Sequence, residues 1–457
     1  MKKAKHESYR YLIFSCHPIV RSGVLADSRT RHKTQSVDMS HASPPPLGAR
    51  PQGLAAVAIK RTAIVASSSS SSPASSPKVS GGVSSRVVTK RKQPKTGRND
   101  KAPPHEPLGE GSFGVVLSGA DVRSWTFDER RRRLTQALQD SDGLVLIRGM
   151  TDLGPQEMVE LSRAVGDEVE RNPGVDERFL IPGWPEVQVI GNVKSEDGEL
   201  RAMFSRAPPL PTKNNVETLQ YDPELRSPVW HTDQAFRSPP PFASLLYCHT
   251  APPRGTGADT AFADMTAALA ALSPEKRAQL SNLRCVCSYA HHNAKVKLRT
   301  PSYPLLTPRQ REEHPPVYNP LLYVDPDTGV ESLYGFSSSV CAVLPAGTQL
   351  SPEALDACEL DAVEDPSVRR LMYDELLPWA TRDEFVYRHE WETGDLVVWD
   401  NLRTIHTATP FDDENHPREM WRTTVASRPS IGGDDDDAVV PPPHDHDIDL
   451  TMRTTMG

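Results

Sequence analysis

From about Pro107 onward, hydrophobic residues fall into short runs of differing period; before it there is almost no pattern. Across Phe127–Asp140, Leu134 and Leu138 stand four apart, and the remaining positions are rich in arginine. That spacing predicts a helix with a basic outer face. Pro155–Val165 predicts a second helix, with proline at its start, where a missing N–H costs nothing. Residues 143–148 and 187–192 are apolar runs of strand length, and Ala243–Thr250 is a third. Residues 265–280 predict one helix and residues 283–289 a return to strand. Helical spacing recurs at 352–363 and 367–380, followed by three short strands at 384–389, 395–400 and 420–427. Short strands joined by turns, with helices at the flanks, predict a mostly β fold of the jelly-roll type. Residues 194–226 lack periodicity and read as a long loop just ahead of His231. Loops of that length are functional or disordered, and a lid and a plain surface insertion are both open readings.

Composition divides the chain further. Residues 1–102 carry 19 Lys and Arg against 4 Asp and Glu, a net of +15, and with a chain total of −8 the remainder holds −23. The expected organisation is a disordered basic Ser/Pro-rich arm over 1–104, a folded domain over 105–430 and a disordered acidic tail over 431–457. The basic run at 90–95 has no interleaved aromatic residues, so nucleic acid is not the expected partner. No stretch reaches the roughly 20 apolar residues that span a bilayer. The six cysteines show no C-x-x-C spacing, which favours a reducing compartment. The expected location is the cytoplasm, with an organelle transit segment in the Arg- and Ser-rich arm as the alternative. The oligomeric state is left open.

Candidate chemistry is sparse. In His231-Thr232-Asp233 the first and third side chains share a face if the segment is extended. One imidazole and one carboxylate on one face suit a metal site with open positions, as non-haem iron(II) oxygenases require. Taken alone the tripeptide is more often structural. His406 follows the apolar run at 396–399 where another strand would start, and reads equally as a half-buried strand histidine. Arg418 and Arg422 would face one side of a strand, where guanidinium forks can grip carboxylates. Asn192, ending its strand, is a candidate substrate contact, and Asp400 a candidate partner for a ligand. Adjacent histidines His291 and His292, read on a strand, point to opposite faces and do not share an ion. Residues 108–116 fit a kinase glycine-rich loop, but no lysine occurs between Lys101 and Lys194 to meet the phosphates.

Together, His231-Thr232-Asp233, the Gly257 to Thr260 step, the segment from Gly394 to Asn401, His406, and Arg418 with Arg422 resemble the TauD/TfdA family of iron(II)/2-oxoglutarate dioxygenases. The resemblance runs from about Pro107 to Pro429. It implies a double-stranded β-helix, with iron(II) held by His231, Asp233 and His406. It further implies 2-oxoglutarate bound by Arg418 and Thr260, oxygen as co-reactant, and a small anionic substrate (carboxylate, sulfonate or sulfate) met by Arg422. The implied reaction hydroxylates that substrate, cleaving it where the carbon bears a heteroatom, and releases succinate and CO2. Asn172 and Ser227 stand where taurine-acting members carry other substrate-site residues, which argues against taurine. The rival expectation is a catalytically silent protein of the same fold.

Overall fold

The computed structural model describes residues 106–430 except 109–112, 173–174, 204–220 and 223–225. The basic arm, the acidic tail and most of the 194–226 loop lie outside the described residues. Nine strands position the site: β1 (Val115–Ser118), β2 (Leu144–Arg148), β3 (Trp184–Gly191), β4 (Ala243–Thr250), β5 (Thr260–Asp264), β6 (Val386–His389), β7 (Leu396–Asp400), β8 (Thr404–Ala408) and β9 (Glu419–Val425). The main sheet runs β1-β2-β7-β4-β9-β3, with two-residue strands Glu106–Pro107 and Leu180–Ile181 at its edges. Its β1–β2 pair is parallel and its other pairs antiparallel. A minor sheet runs β6-β5-β8, antiparallel throughout. A third sheet joins Leu283–Cys287 to Val317–Pro320 and Val340–Pro345.

The main sheet is covered on both faces, which is why β2 reads as an unbroken apolar run. Val145 and Ile147 pack with Leu134 and Leu138 of helix α1 (Phe127–Asp140) and with Met158 and Leu161 of helix α2 (Pro155–Val165). Leu144 and Leu146 point the other way, into a cluster with Leu246, Trp399 and Met420 of the main sheet and Phe262 of β5. The two sheets therefore share one apolar layer, and each buried leucine in it contributes about 1.5–3 kcal/mol. Both helices match their expected bounds because their starts are written locally. Thr126 and Glu129 form a capping box at α1, and Pro155 occupies the first turn of α2.

Three expectations are corrected. Residues 265–280 form two helices, α3 (Met265–Ala270) and α4 (Pro274–Ser281). Ser273 caps the second, and Pro274, lacking an N–H, cannot continue the first. The strand expected over 283–289 ends at Cys287, because Ser288 caps a new helix, α5 (Tyr289–Arg299), by accepting from the His291 backbone. His291 and His292 are thus helical and buried, their Nδ1 atoms bonded to the Cys358 carbonyl and Ser338 Oγ. The stretch 367–380 is a π-helix, Val368–Leu376, followed by an α turn at Leu377–Ala380. No helix among the described residues is long and apolar enough to cross a membrane.

Candidate metal centre

His231 and His406 face each other across an antiparallel bridge. Each backbone N–H donates to the other's carbonyl, at 3.0 and 2.8 Å. Directly opposed residues put their side chains on one face, and here the ring centroids stand 4.3 Å apart. His406 lies inside β8 rather than at its start, so the bridge adds residue 231 to the edge of the minor sheet. The segment after His231 is not a strand: it turns, and Gln234 takes φ of 48°. Asp233 nonetheless comes to the same place, its Oδ1 3.7 Å from His231 Nε2 and 4.0 Å from His406 Nε2. The three ligand atoms lie within 4.8 Å of one another.

This set fits a metal. Two donors each roughly 2.1 Å from one ion stand at most about 4.2 Å apart, and both Asp–His separations fall below that. Asp233 Oδ1 is fully buried and accepts no hydrogen bond, a costly state for an anionic oxygen. His231 Nδ1 lies 2.7 Å from the Val229 carbonyl and must donate to it, which turns the Nε2 lone pair toward Asp233. Burial, with the charge of Arg422, pushes His406 down to about 3, so its ring is neutral and able to ligate. Burial acts to raise Asp233, but the Arg422 guanidinium and a hydrogen bond from Ser244 act to hold it well below the usual carboxylate range.

The second oxygen of Asp233 has a partner that the sequence reading missed. Ser244 Oγ donates to Oδ2 at 2.7 Å, Asn401 Nδ2 lies 3.1 Å from Ser244 Oγ, and Trp399 Nε1 donates to Asn401 Oδ1 at 2.9 Å. A lone serine at an inward position of an apolar strand was the available signal. Asp400 is not part of this set. Its Oδ1 accepts from the Leu402 backbone and its Oδ2 faces Arg403 and Arg428.

Arg422 is buried on the inner face of β9, its guanidinium 3.6 Å from Asp233 Oδ1. Arg418 is buried just ahead of β9, and its charge acts on the Cys248 thiol, which burial pushes up to about 12. Thr260 begins β5, also buried, and its hydroxyl oxygen accepts from Trp391 Nε1 at 3.0 Å. Asn192, expected as a substrate contact, clamps the backbone. Its two amide hydrogens go to the Asp413 and His416 carbonyls, and its oxygen accepts from the Arg418 N–H. Asn172 likewise donates to the Pro185 and Glu186 carbonyls.

Residues 104–424 match the family model described as taurine catabolism dioxygenase TauD, TfdA family. The chain belongs to the TauD/TfdA family. Among family relatives, the 2,4-dichlorophenoxyacetate dioxygenase of Cupriavidus pinatubonensis is 33% identical over 201 residues, 43% of this chain and 59% of the relative. Pentalenolactone F synthase of Streptomyces avermitilis is 24% identical over 311 residues, 66% of this chain and 87% of the relative. A crystal structure of AAD-2 with Mn(II) and N-oxalylglycine aligns with TM-score 0.48 and 24% identity, over 71% of this chain and 97% of that one. The chain spans less than two thirds of the length of the first two relatives it matches, both 2,4-dichlorophenoxyacetate dioxygenases.

Proposed function

We propose that the chain is an iron(II)- and 2-oxoglutarate-dependent dioxygenase acting on a small anionic organic substrate. The reaction consumes 2-oxoglutarate, oxygen and a substrate C–H bond and yields succinate, CO2 and the alcohol, which falls apart where the carbon carries a heteroatom. The carrying observation is the convergence of His231 Nε2, His406 Nε2 and Asp233 Oδ1, which accepts no hydrogen bond, between two sheets. Two neutral nitrogens and one carboxylate on one side of an ion match the donor set of non-haem iron(II) oxygenases. The paired sheets are read as the double-stranded β-helix that this family's resemblance implies.

Bound iron(II) supplies the oxygen chemistry that side chains lack. The chain's own groups do the rest. Thr260 has its oxygen engaged by Trp391, so its proton is left to donate to the far carboxylate of the keto acid. Arg418, held by Asn192 through its backbone, offers that carboxylate a guanidinium. Arg422 offers positive charge beside the ligands, within reach of a substrate acid. The buried Arg422 guanidinium beside the ligands supports an anionic substrate. The relatives named for phenoxyacetate, phenoxypropionate and sulfate ester substrates share that feature in their names.

The test is succinate formation from 2-oxoglutarate by the purified chain with iron(II), screened against small carboxylates, sulfonates and sulfate esters. Turnover above background is expected, and His231→Ala should reduce it to background. Absence of turnover together with failure of iron(II) and 2-oxoglutarate to bind jointly would overturn the proposal.

A further inference from the structure

The two oxygens of Asp233 are treated differently by the fold. Oδ1 faces the two imidazoles without a hydrogen bond, while Oδ2 meets Ser244. The direction of each bond in the chain behind Oδ2 follows from one residue. An indole N–H only donates, so the Asn401 atom facing Trp399 must be its oxygen. The Asn401 amide nitrogen then faces Ser244, and can only donate to it. Ser244 therefore accepts from Asn401, and its single proton goes to Asp233 Oδ2. Trp399, Asn401, Ser244 and Asp233 are at most 1% exposed, so water does not compete for these bonds. Networks closed in this way hold their members rigidly.

We propose that Ser244, oriented by Asn401 and Trp399, is a positioning residue that restricts Asp233 to one ligating oxygen. A carboxylate free to turn can give both oxygens to a single ion. A second oxygen would take a position that the keto acid or oxygen needs. With Oδ2 bound to Ser244, only Oδ1 is presented between His231 and His406. The inference rests on the metal-centre reading above, and adds three residues, Ser244, Asn401 and Trp399, that support the ligand from behind. Nothing in the His-x-Asp spacing marks them, since Ser244 lies on β4 and Asn401 just past β7.

The experiment measures Mn(II) affinity of the full chain, with free ion read from its solution EPR signal, for the wild type, Ser244→Ala and Asn401→Asp. The aspartate variant keeps the serine but accepts from both Trp399 and Ser244, drawing the serine proton away from Asp233. Both variants are expected to weaken Mn(II) binding roughly 10- to 100-fold, the usual cost of losing a group that orients a ligand. The EPR line shape of the bound ion should change in both. A residue that merely fills space would lower the melting temperature and leave affinity and line shape alone. If Ser244→Ala does not fold, Asn401→Asp decides. Wild-type affinity in the folded variants overturns the proposal. Failure of the wild type itself to bind Mn(II) overturns the metal-centre reading instead.

Discussion

At Arg422 two demands meet in one side chain. Its guanidinium lies 3.6 Å from Asp233 Oδ1 and is buried, so its charge is felt by the metal site as well as by any substrate acid. At about 4 Å, with an effective dielectric of about 20, unit charges interact by about 4 kcal/mol. Arg422 therefore favours an anion in the pocket and disfavours a cation beside Asp233. Arg422→Gln should raise KM for the anionic substrate at least about tenfold, worth about 1.4 kcal/mol, while Mn(II) binds as tightly as before or up to about tenfold tighter. Isothermal titration with Mn(II) and succinate-release kinetics check the two halves, and weaker Mn(II) binding would contradict this account of Arg422. These residues were unevenly legible. His231 and Asp233 carry a spacing signal, His406 was read as a ligand only through the wider resemblance, and Ser244 was marked only as a lone serine in an apolar strand. A hydrogen bond between β4 and the turn after His231 joins residues 11 apart whose partnership no local pattern encodes. The clamp made by Asn192 was illegible for the same reason, because its partners lie 221 to 226 residues away.

Among elements, those with chemical end-marks were readable. The capping box of α1 and the proline of α2 fixed their bounds, and the break at Ser273-Pro274 was also written in the chain, though the apolar spacing ran across it. Strand β5 was not separable from a turn, and β8 was expected only as a strand starting at His406. They are five residues each and carry buried polar side chains that face the site, which blurs the alternation. Asp264 shows how tightly such elements are joined. It ends β5 and caps α3, its carboxylate accepting from the Thr266 and Ala267 backbones while only 3% exposed. Burial raises its pKa to about 7 despite those two bonds. The folded state thus holds this proton more tightly than the unfolded chain. Its contribution to stability is complete below the ordinary aspartate range and is lost as pH rises through about 7. Asp264→Asn keeps an accepting oxygen and removes the titration. Relative to wild type, the variant should gain stability between pH 4 and pH 8, by at most a few kcal/mol, since each tenfold difference in proton affinity between folded and unfolded chain is worth about 1.4 kcal/mol. Urea melts of both proteins at pH 5 and pH 8 read the difference, and a gap independent of pH would refute it.

Across the whole molecule the candidate centre lies between the two sheets, and that placement has a thermodynamic consequence. His406 belongs to the minor sheet, Ser244 and Arg422 to the main sheet, and Asp233 to the turn that touches both. An ion bound there adds a tie between segments that are also joined by packing of Phe262 and Trp391 against Leu146, Trp399 and Met420 and by the contacts of Ser244 and Arg422 with Asp233. Without an ion, Asp233 Oδ1 keeps the charge of Arg422 nearby but accepts no hydrogen bond, so it has a lone pair to give to an ion. Binding should therefore stabilise the fold as a unit. Any ligand specific to the folded state adds RT ln(1 + [L]/Kd), about 2.7 kcal/mol at a hundred times Kd. For a domain of this size that corresponds to a rise in Tm of roughly 5 °C, at about 2 °C per kcal/mol. Adding 2-oxoglutarate should raise Tm further only when the metal is present, because in the proposed function the keto acid has two anchors on the protein, Arg418 and Thr260, and needs the ion as its third. The measurement is a set of four melts of the wild-type chain: apo, with Mn(II), with 2-oxoglutarate, and with both. A chelator should return the doubly loaded protein to the apo Tm. Equal shifts from 2-oxoglutarate with and without Mn(II) would show that Arg418 and Thr260 bind it independently of the ion, and would separate the cosubstrate pocket from the centre that joins the sheets.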